Sequence, residues 1–435
     1  MKRVLIISPH FPPINAPDHQ RVRMALPYFV EFGWEATVIA TAPEFVEGTL
    51  DPLLKQSLDA KTRIFWEPAL PTKWTRKIGL GNLGLRCIPY VHRRAKELLT
   101  EEKFDVVFFS TTMFAVMALG PAWKRNFGIP YVLDFQDPWV MPYYDTAPGV
   151  SPPGGRFKHA ITQTIAKNLE PMSVKGASQI MSVSPAYPEA FCARYPELKP
   201  EVFTVLPFGA SEADYTFVRE NKVEQSEFDP NDGKEHWVYV GRGGPDMKFC
   251  LTAFFMALAK EIELKPELRE KLRFHFIGTS YAKAGSGEKS IEPIAKSFGL
   301  DDIVMEKTDR IPYFEAISCM QNAHALFVPG SDDPGYTASK IYPTIMAGKP
   351  VLSIFHESST VNMVMKETGA GLAISFKSSD GVRDLAQKIA KSKWRETLLQ
   401  RPQGPDLGPL ESYTARAMTQ KICIILNKCP KARRA

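Results

Sequence analysis

The chain has 435 residues, enough for two domains of ordinary size, each with its own core. Its 44% hydrophobic content is that of a globular protein. No apolar run approaches the roughly 18 residues that a membrane span needs. The formal net charge is +6, and seven basic residues with no acid fall within 73–96, so this window holds the whole excess. No recognised nucleic-acid motif accompanies that charge, which argues against nucleic acid as a partner.

Cysteines stand at 87, 192, 250, 319, 423 and 429, without Cys-x-x-Cys or paired histidine spacing. The reading is reduced thiols in a cytoplasmic protein, with no zinc or other metal site. Met1-Lys2-Arg3 ahead of Val4-Leu5-Ile6-Ile7 looks like a signal-peptide start, but the apolar run is short and ends in Ser-Pro-His-Phe-Pro-Pro. A first buried strand is the expectation instead. The basic window also carries Trp74, Ile78, Leu80, Leu83, Leu85, Ile88, Tyr90 and Val91. That mixture suits a surface lying against anionic lipid at the inner face of a membrane, and it suits somewhat better a solvated loop and helix whose apolar side joins the core.

Strand-like runs alternate with helical stretches along the whole chain, the pattern of parallel βαβ units. In the first half the strands are expected at 4–8, 36–41, 106–110, 131–135, 179–184 and 202–206. In the second half they are expected at 237–241, 273–278, 323–328, 351–355 and 371–375. The polar, acidic stretch between the two sets ends Asp229-Pro-Asn-Asp-Gly, which predicts a linker at 208–236 between domains at 1–207 and 237–409. A last amphipathic helix is expected at 411–427. The fold class is therefore α/β, as two doubly wound Rossmann-like domains facing each other across a cleft.

Four stretches carry candidate chemistry. The first is Ser8-Pro-His-Phe-Pro-Pro through Asn15-Ala-Pro-Asp18 to Gln20-Arg21-Val22, then Gly33-Trp34-Glu35 and Thr37-Val38. The second is Tyr131-Val-Leu-Asp-Phe-Gln-Asp-Pro-Trp, following the strand that ends Ser110-Thr111. Asp134 and Asp137 are three positions apart, so they point to opposite faces of an extended strand; Asp137 is the one expected to face the cleft, and Asp134 braces a loop. The third is Val238-Tyr-Val-Gly241-Arg242-Gly-Gly-Pro-Asp-Met-Lys248. Asp246 stands where a dinucleotide fingerprint needs its third glycine, which argues against a dehydrogenase.

The fourth runs from Ser331 through Ser339-Lys340-Ile-Tyr342-Pro343 to Met346-Ala-Gly348-Lys-Pro-Val351. Ser339 is placed to cap a short helix, Pro343 fits its first turn, and Gly348 supplies a left-handed stop. A loop at a strand's carboxyl end followed by a helix start favours an anion such as phosphate.

In this order the motifs resemble the two-domain (GT-B) glycosyltransferases of the family 4 type that assemble surface polysaccharides. The resemblance rests on Phe11, Pro12, Pro13, Gln20, Arg21, Val22, Gly33, Trp34, Thr37 and Val38, on the Asp134 to Trp139 run, on Gly241, Arg242 and Lys248, and on Ser339 to Val351. It departs at Gly335 and Pro343, where that family carries paired glutamates, and at Gln136, where Arg is usual.

The resemblance implies retaining, metal-independent transfer of a hexose from a nucleotide sugar to a glycan or lipid-linked acceptor, without a cofactor. It further implies that the 411–427 helix packs back on the first domain. Asp137, Arg242, Lys248 and Lys340 are then the catalytic candidates. Donor contacts are assigned to Arg21, Gly241, Gly278, Arg310, Ile311, Ser339, Tyr342 and Glu357, the last as a replacement carboxylate near the ribose. Asp18, Ser110 and Thr111 are the acceptor-side candidates. The same fold also serves nucleotide-sugar epimerases, and it would serve a nucleotide-sugar-binding or scaffold protein without turnover.

Overall fold

The run Val4-Leu5-Ile6-Ile7 sends alternate side chains into two different cores, as a strand buried on both faces must. Val4 and Ile6 join Val38, Ala40, Val106, Phe108 and Met181 on one face, while Leu5 and Ile7 join Ile39, Val107, Phe109 and Leu133 on the other. The structure, a computed structural model, describes residues 1–76, 81–140, 156–280, 282, 285–333, 339–400 and 407–432. Two units result, Met1–Phe208 with Ala415–Ala435, and Gly209–Thr414.

The first unit is built on strands β1 (Lys2–Ile7), β2 (Trp34–Thr41), β3 (Arg63–Glu67), β4 (Val106–Ser110), β5 (Tyr131–Phe135), β6 (Gln179–Ser182) and β7 (Phe203–Val205). They form one parallel sheet in the order β3-β2-β1-β4-β5-β6-β7. The second unit holds β8 (Glu235–Val240), β9 (Leu272–Ile277), β10 (Val304–Lys307), β11 (Ala325–Pro329), β12 (Val351–His356) and β13 (Gly371–Phe376). Its sheet is also parallel, in the order β10-β9-β8-β11-β12-β13. Strand order therefore reverses between β1 and β4 in one unit and between β8 and β11 in the other. Ligands of open α/β sheets sit at such reversals, beyond the carboxyl ends of the strands.

Two strands, β3 and β10, were not expected. Both lie at sheet edges, where one side is half exposed and the sequence mixes charged with apolar residues, as in Arg63-Ile-Phe-Trp-Glu and Val304-Met-Glu-Lys. The expected linker is also corrected. Residues 208–236 contain the helix Glu212–Glu220, whose start is capped by Ser211 and whose Phe217 lies 4.4 Å from Phe314 between ring centres. Tyr313 donates a 2.8 Å hydrogen bond to Asp214, so this segment is part of the second unit. The final helix begins later than expected: Pro409–Tyr413 is a short turn of the second unit, and Ala415–Asn427 is the helix. Its Met418, Ile422, Cys423, Ile425 and Leu426 enter the first unit's core.

The basic window is largely answered within the protein. Arg86 is buried and donates to the carbonyls of Leu70 (2.7 Å) and Phe45 (2.9 Å). Arg93 and Arg94 pair with the buried Glu67, and Arg76 with Glu47. Trp74 is exposed, while Lys77, Ile78 and Leu80 lie outside the described residues. Among the described residues no helix is long and apolar enough to cross a membrane.

Arg21 requires a larger correction. It is fully buried, its Nε 2.8 Å from the equally buried Asp134, and it donates to the carbonyls of Leu206 (2.7 Å) and Pro207 (3.3 Å). Its guanidinium also covers the Phe208 ring at 4.6 Å. A group so enclosed is a brace joining the helix Gln20–Ala25 to the ends of β5 and β7, and not a donor contact. Removing one partner leaves the other charge buried and unanswered, which costs about 3–5 kcal/mol. Arg21→Met and Asp134→Asn are each expected to lower chemical-denaturation stability of the first unit by about that much. The double replacement Arg21→Met with Asp134→Leu should recover most of the loss; single variants as stable as the parent would refute this role.

Candidate functional site

In the second unit the chain leaves β8 at Gly241-Arg242, leaves β9 at Gly278, and passes Lys340 on the way from β11 to β12. Gly241 is buried with its amide bonded to the carbonyl of Ile277, and a Cβ there would lie 3.0 Å from Lys340 Nζ and 2.4 Å from the Tyr239 hydroxyl. Gly278 has φ +74°, and a Cβ on it would approach the Arg310 backbone at 3.8 Å. Gly241 thus leaves room for Lys340 and Tyr239, while Gly278 is required by its left-handed backbone. The neighbouring loop is fixed by Glu306, buried, which accepts from Thr279 Oγ1 (2.7 Å) and from the amides of Ser290, Ile291 and Glu292.

Three cations, Lys340, Arg310 and Arg242, therefore share the carboxyl ends of β8 and its neighbours. Desolvation, and then the charges of Arg310 and Arg242, push the Lys340 ammonium down to about 7. No acid within ion-pair reach counters that among the described residues. Arg242 is gripped in two-pronged fashion by Asp246 (2.9 and 2.7 Å), whose carboxyl is held low by that contact against the opposing effect of burial. A fixed array of like charges at a sheet reversal is an arrangement that a polyanion such as a diphosphate would relieve.

The other candidates of this unit are placed differently. Lys248 is exposed at the start of the helix Lys248–Leu264. Ile311 is buried beside Arg310. Ser339 does not cap a helix: Lys340 is the cap position of Ile341–Met346, which is six residues long and has no side-chain cap. Gly348 does take a left-handed φ of +76° after it. Tyr342 is buried and stacks on Tyr413 at 4.6 Å, which assigns it to packing rather than to the donor. Glu357 is exposed at the end of β12, its amide bonded to Phe376, and Gly335 lies outside the described residues.

In the first unit the acceptor-side candidates form one buried network rather than a free surface. Ser110 Oγ donates to Asp134 at 2.8 Å. Thr111 Oγ1, the Thr112 amide and Thr112 Oγ1 all donate to Asp18 Oδ2, at 2.9, 3.1 and 3.2 Å. The other oxygen, Oδ1, meets His10 Nδ1 at 2.9 Å. With these partners Asp18 is not open to a sugar hydroxyl, contrary to expectation. Burial opposes its charge, yet His10, with help from His19 and the Thr112 amide, holds the carboxyl far below the usual range. Asp137 is exposed beyond β5, close enough to raise the Tyr187 phenol together with its burial.

Sequence reasoning gave no role to His10, Thr112 or Glu306. For His10 a signal existed, a histidine in the first loop after the first strand, in Ser8-Pro9-His10. Glu306 sits on an unrecognised edge strand. Among the described residues no cluster of three or more His, Cys, Asp or Glu converges as a metal site would.

No protein-family model and no curated protein matches the chain. Several solved structures do. HepE of Anabaena, in complex with UDP and glucose, is 16% identical, with 98% of this chain and 100% of that one covered at a TM-score of 0.58. The UDP-forming α,α-trehalose-phosphate synthase of Burkholderia xenovorans is 11% identical, with 98% and 99% covered at 0.56. The UDP-GlcNAc 2-epimerase of Methanocaldococcus jannaschii is 13% identical, with 98% and 99% covered at 0.51. At such identities the likeness shows the fold: two doubly wound, parallel-sheet domains of the GT-B kind, to which glycosyltransferases among these structures belong.

Proposed function

We propose that this chain is a glycosyltransferase that binds a nucleotide sugar in its second unit and moves the sugar to an alcohol of a glycan or lipid-linked acceptor. The observation that carries this reading is the convergence of Lys340, Arg310 and Arg242 at the β8/β11 reversal, with Lys340 held near neutrality by desolvation and by the other two. Sugar transfer from a nucleoside diphosphate sugar develops negative charge on the departing diphosphate. Preorganised cations stabilise that charge without reorganising during the reaction. The UDP and UDP-glucose recorded with HepE make UDP-sugars the first donors to examine.

The test is thermal stability against UDP, GDP, TDP, CMP and ADP and their sugars. A ligand at a hundredfold excess over its dissociation constant stabilises the native state by about 2.7 kcal/mol, a shift that is easily read. One nucleotide series should raise the midpoint. Lys340→Ala and Arg242→Ala should each weaken its binding about ten- to a hundredfold, the equivalent of one charge-assisted hydrogen bond. No shift with any nucleotide would overturn the reading. Product formed without an acceptor and isomeric with the donor would replace it with epimerisation.

A second prediction follows from the sign of the Lys340 shift. Its folded pKa lies below its unfolded value, so the unfolded chain holds more protons between about pH 7 and pH 10.5, and stability of the ligand-free protein rises with pH across that window. Below about pH 7 the charged lysine is fully unfavourable, and Lys340→Met should there be more stable than the parent. A diphosphate restores the ammonium, so nucleotide binding near pH 8 should take up close to one proton, read by calorimetry in two buffers of different ionisation enthalpy. Binding without proton uptake would show that Lys340 does not meet the phosphates.

A further inference from the structure

Among the cations at the carboxyl ends of the second sheet, Arg242 already has a partner of opposite charge. Its Nη1 and Nη2 meet Asp246 Oδ1 and Oδ2 at 2.9 and 2.7 Å. The two side chains are 28% and 29% exposed, in contrast to the enclosed pair of Arg21 and Asp134. An ion pair so open adds little to stability, so bracing the fold is a poor account of it. Yet the chain makes room for it. A Cβ on Gly244 would stand 2.5 Å from Asp246 Oδ1 and 2.7 Å from Arg242 Nη1, so any other residue at 244 would push the pair apart.

The backbones of both partners are held. Asp246 lies in the short turn Pro245–Met247 ahead of the helix Lys248–Leu264, and its carbonyl accepts from the Asp332 amide at 2.9 Å, on the loop that leaves β11. The Arg242 carbonyl accepts from the Tyr239 hydroxyl at 2.9 Å. Only the ends of the two side chains are therefore left to exchange partners. Burial opposes the charge of Asp246, yet Arg242, with help from the Ser331 hydroxyl, holds its carboxyl low. Asp332 beside it is raised by burial and then by the charges of Asp246 and Asp333. In this crowd of carboxylates Asp246 gains from keeping a cation.

A phosphoryl group offers a guanidinium the same two-pronged geometry as a carboxylate, with more charge. We infer that Asp246 is an internal stand-in for phosphate, which holds the fork of Arg242 until a diphosphate reaching Lys340 and Arg310 as well exchanges for it. The inference rests on the reading of the cation array given above, and it adds the group that competes with the ligand. No covalent bond changes in the exchange. One pair of N–H···O bonds at Arg242 is broken and another formed, and Asp246 is left to Ser331 and solvent. Asp246 is thus a specificity-determining residue: a ligand must bring enough negative charge to displace it. It also favours release of a nucleoside diphosphate product, because Arg242 then has a partner to return to.

The opposite role is a carboxylate that aims Arg242 at the phosphates and stays bonded to it in the complex. The two roles predict opposite signs. In the first, removing the Asp246 charge tightens diphosphate binding; in the second it loosens it.

The experiment is calorimetric titration of the full chain with UDP and with inorganic pyrophosphate. Asp246→Asn should bind both about three- to tenfold more tightly than the parent, the worth of a half-exposed two-pronged pair. Gly244→Ala parts the pair without removing a charge, and it should tighten binding in the same direction. In the Arg242→Ala background the change Asp246→Asn should leave affinity within about twofold. A carboxylate that acts only through its distant charge would tighten binding there as well. Unchanged or weaker binding in Asp246→Asn, or equal tightening with and without Arg242, overturns the inference and leaves the cation array as a diphosphate site. Binding of neither probe by the parent overturns that reading, and the inference falls with it.

Discussion

The buried ion pair between Arg21 and Asp134 is the contact on which the first unit's chemistry depends. Two charges removed from water are tolerated where they answer one another. Here Arg21 also donates to the Leu206 and Pro207 carbonyls and Asp134 Oδ2 accepts from Ser110 and Gln136, while Asp134 Oδ1 is buried without a hydrogen-bond partner among the described residues. Gln136 in turn holds the backbone of Asp18, and Asp18 holds His10. One connected set of hydrogen bonds thus links the ends of β1, β4, β5 and β7 and finishes at a single imidazole nitrogen. In a low-dielectric interior each such bond is strong, and breaking one leaves a further buried polar group unanswered, so the network favours one geometry.

The second unit treats charge in the opposite way. Lys340, Arg310 and Arg242 are brought together, Arg242 held by Asp246, and desolvation with the two neighbouring charges lowers the Lys340 ammonium to about 7. Folding bears that unfavourable term. Glycine at 241 permits the approach of Lys340, and Glu306, bound to three successive amides, keeps the neighbouring loop in place. Each sheet thus carries its distinctive polar residues at the point where its strand order reverses, a brace that ends at the His10 ring on one sheet and a cation array on the other.

On the transferase reading proposed above, the cation array of the second unit is the part that would favour departure of a diphosphate. Positions 335 and 343, where the glycosyltransferases that the sequence resembles carry paired glutamates, supply none of these cations.

Much of the architecture was legible from residue pattern. Continuous apolar runs alternating with helical segments, punctuated by glycines, require parallel strands buried on both faces, and Gly241-Arg242 and Lys340 stood out as loop residues at strand ends. The edge strands β3 and β10 were not legible, because a half-exposed strand need not be apolar. Nor was the role of Arg21: a sequence shows that a residue is charged but not whether its charge is answered. That depends on Asp134, which is 113 positions away and reaches Arg21 only because β5 lies two strands from β1. The pairing of His10 with Asp18, and of Asp18 with Thr111 and Thr112, was decided in the same way. The sequence by itself determined the strands, the turns and the chemical types available at their ends; the tertiary structure alone decided which of those groups are buried and paired, because burial and distance set both charge state and direction.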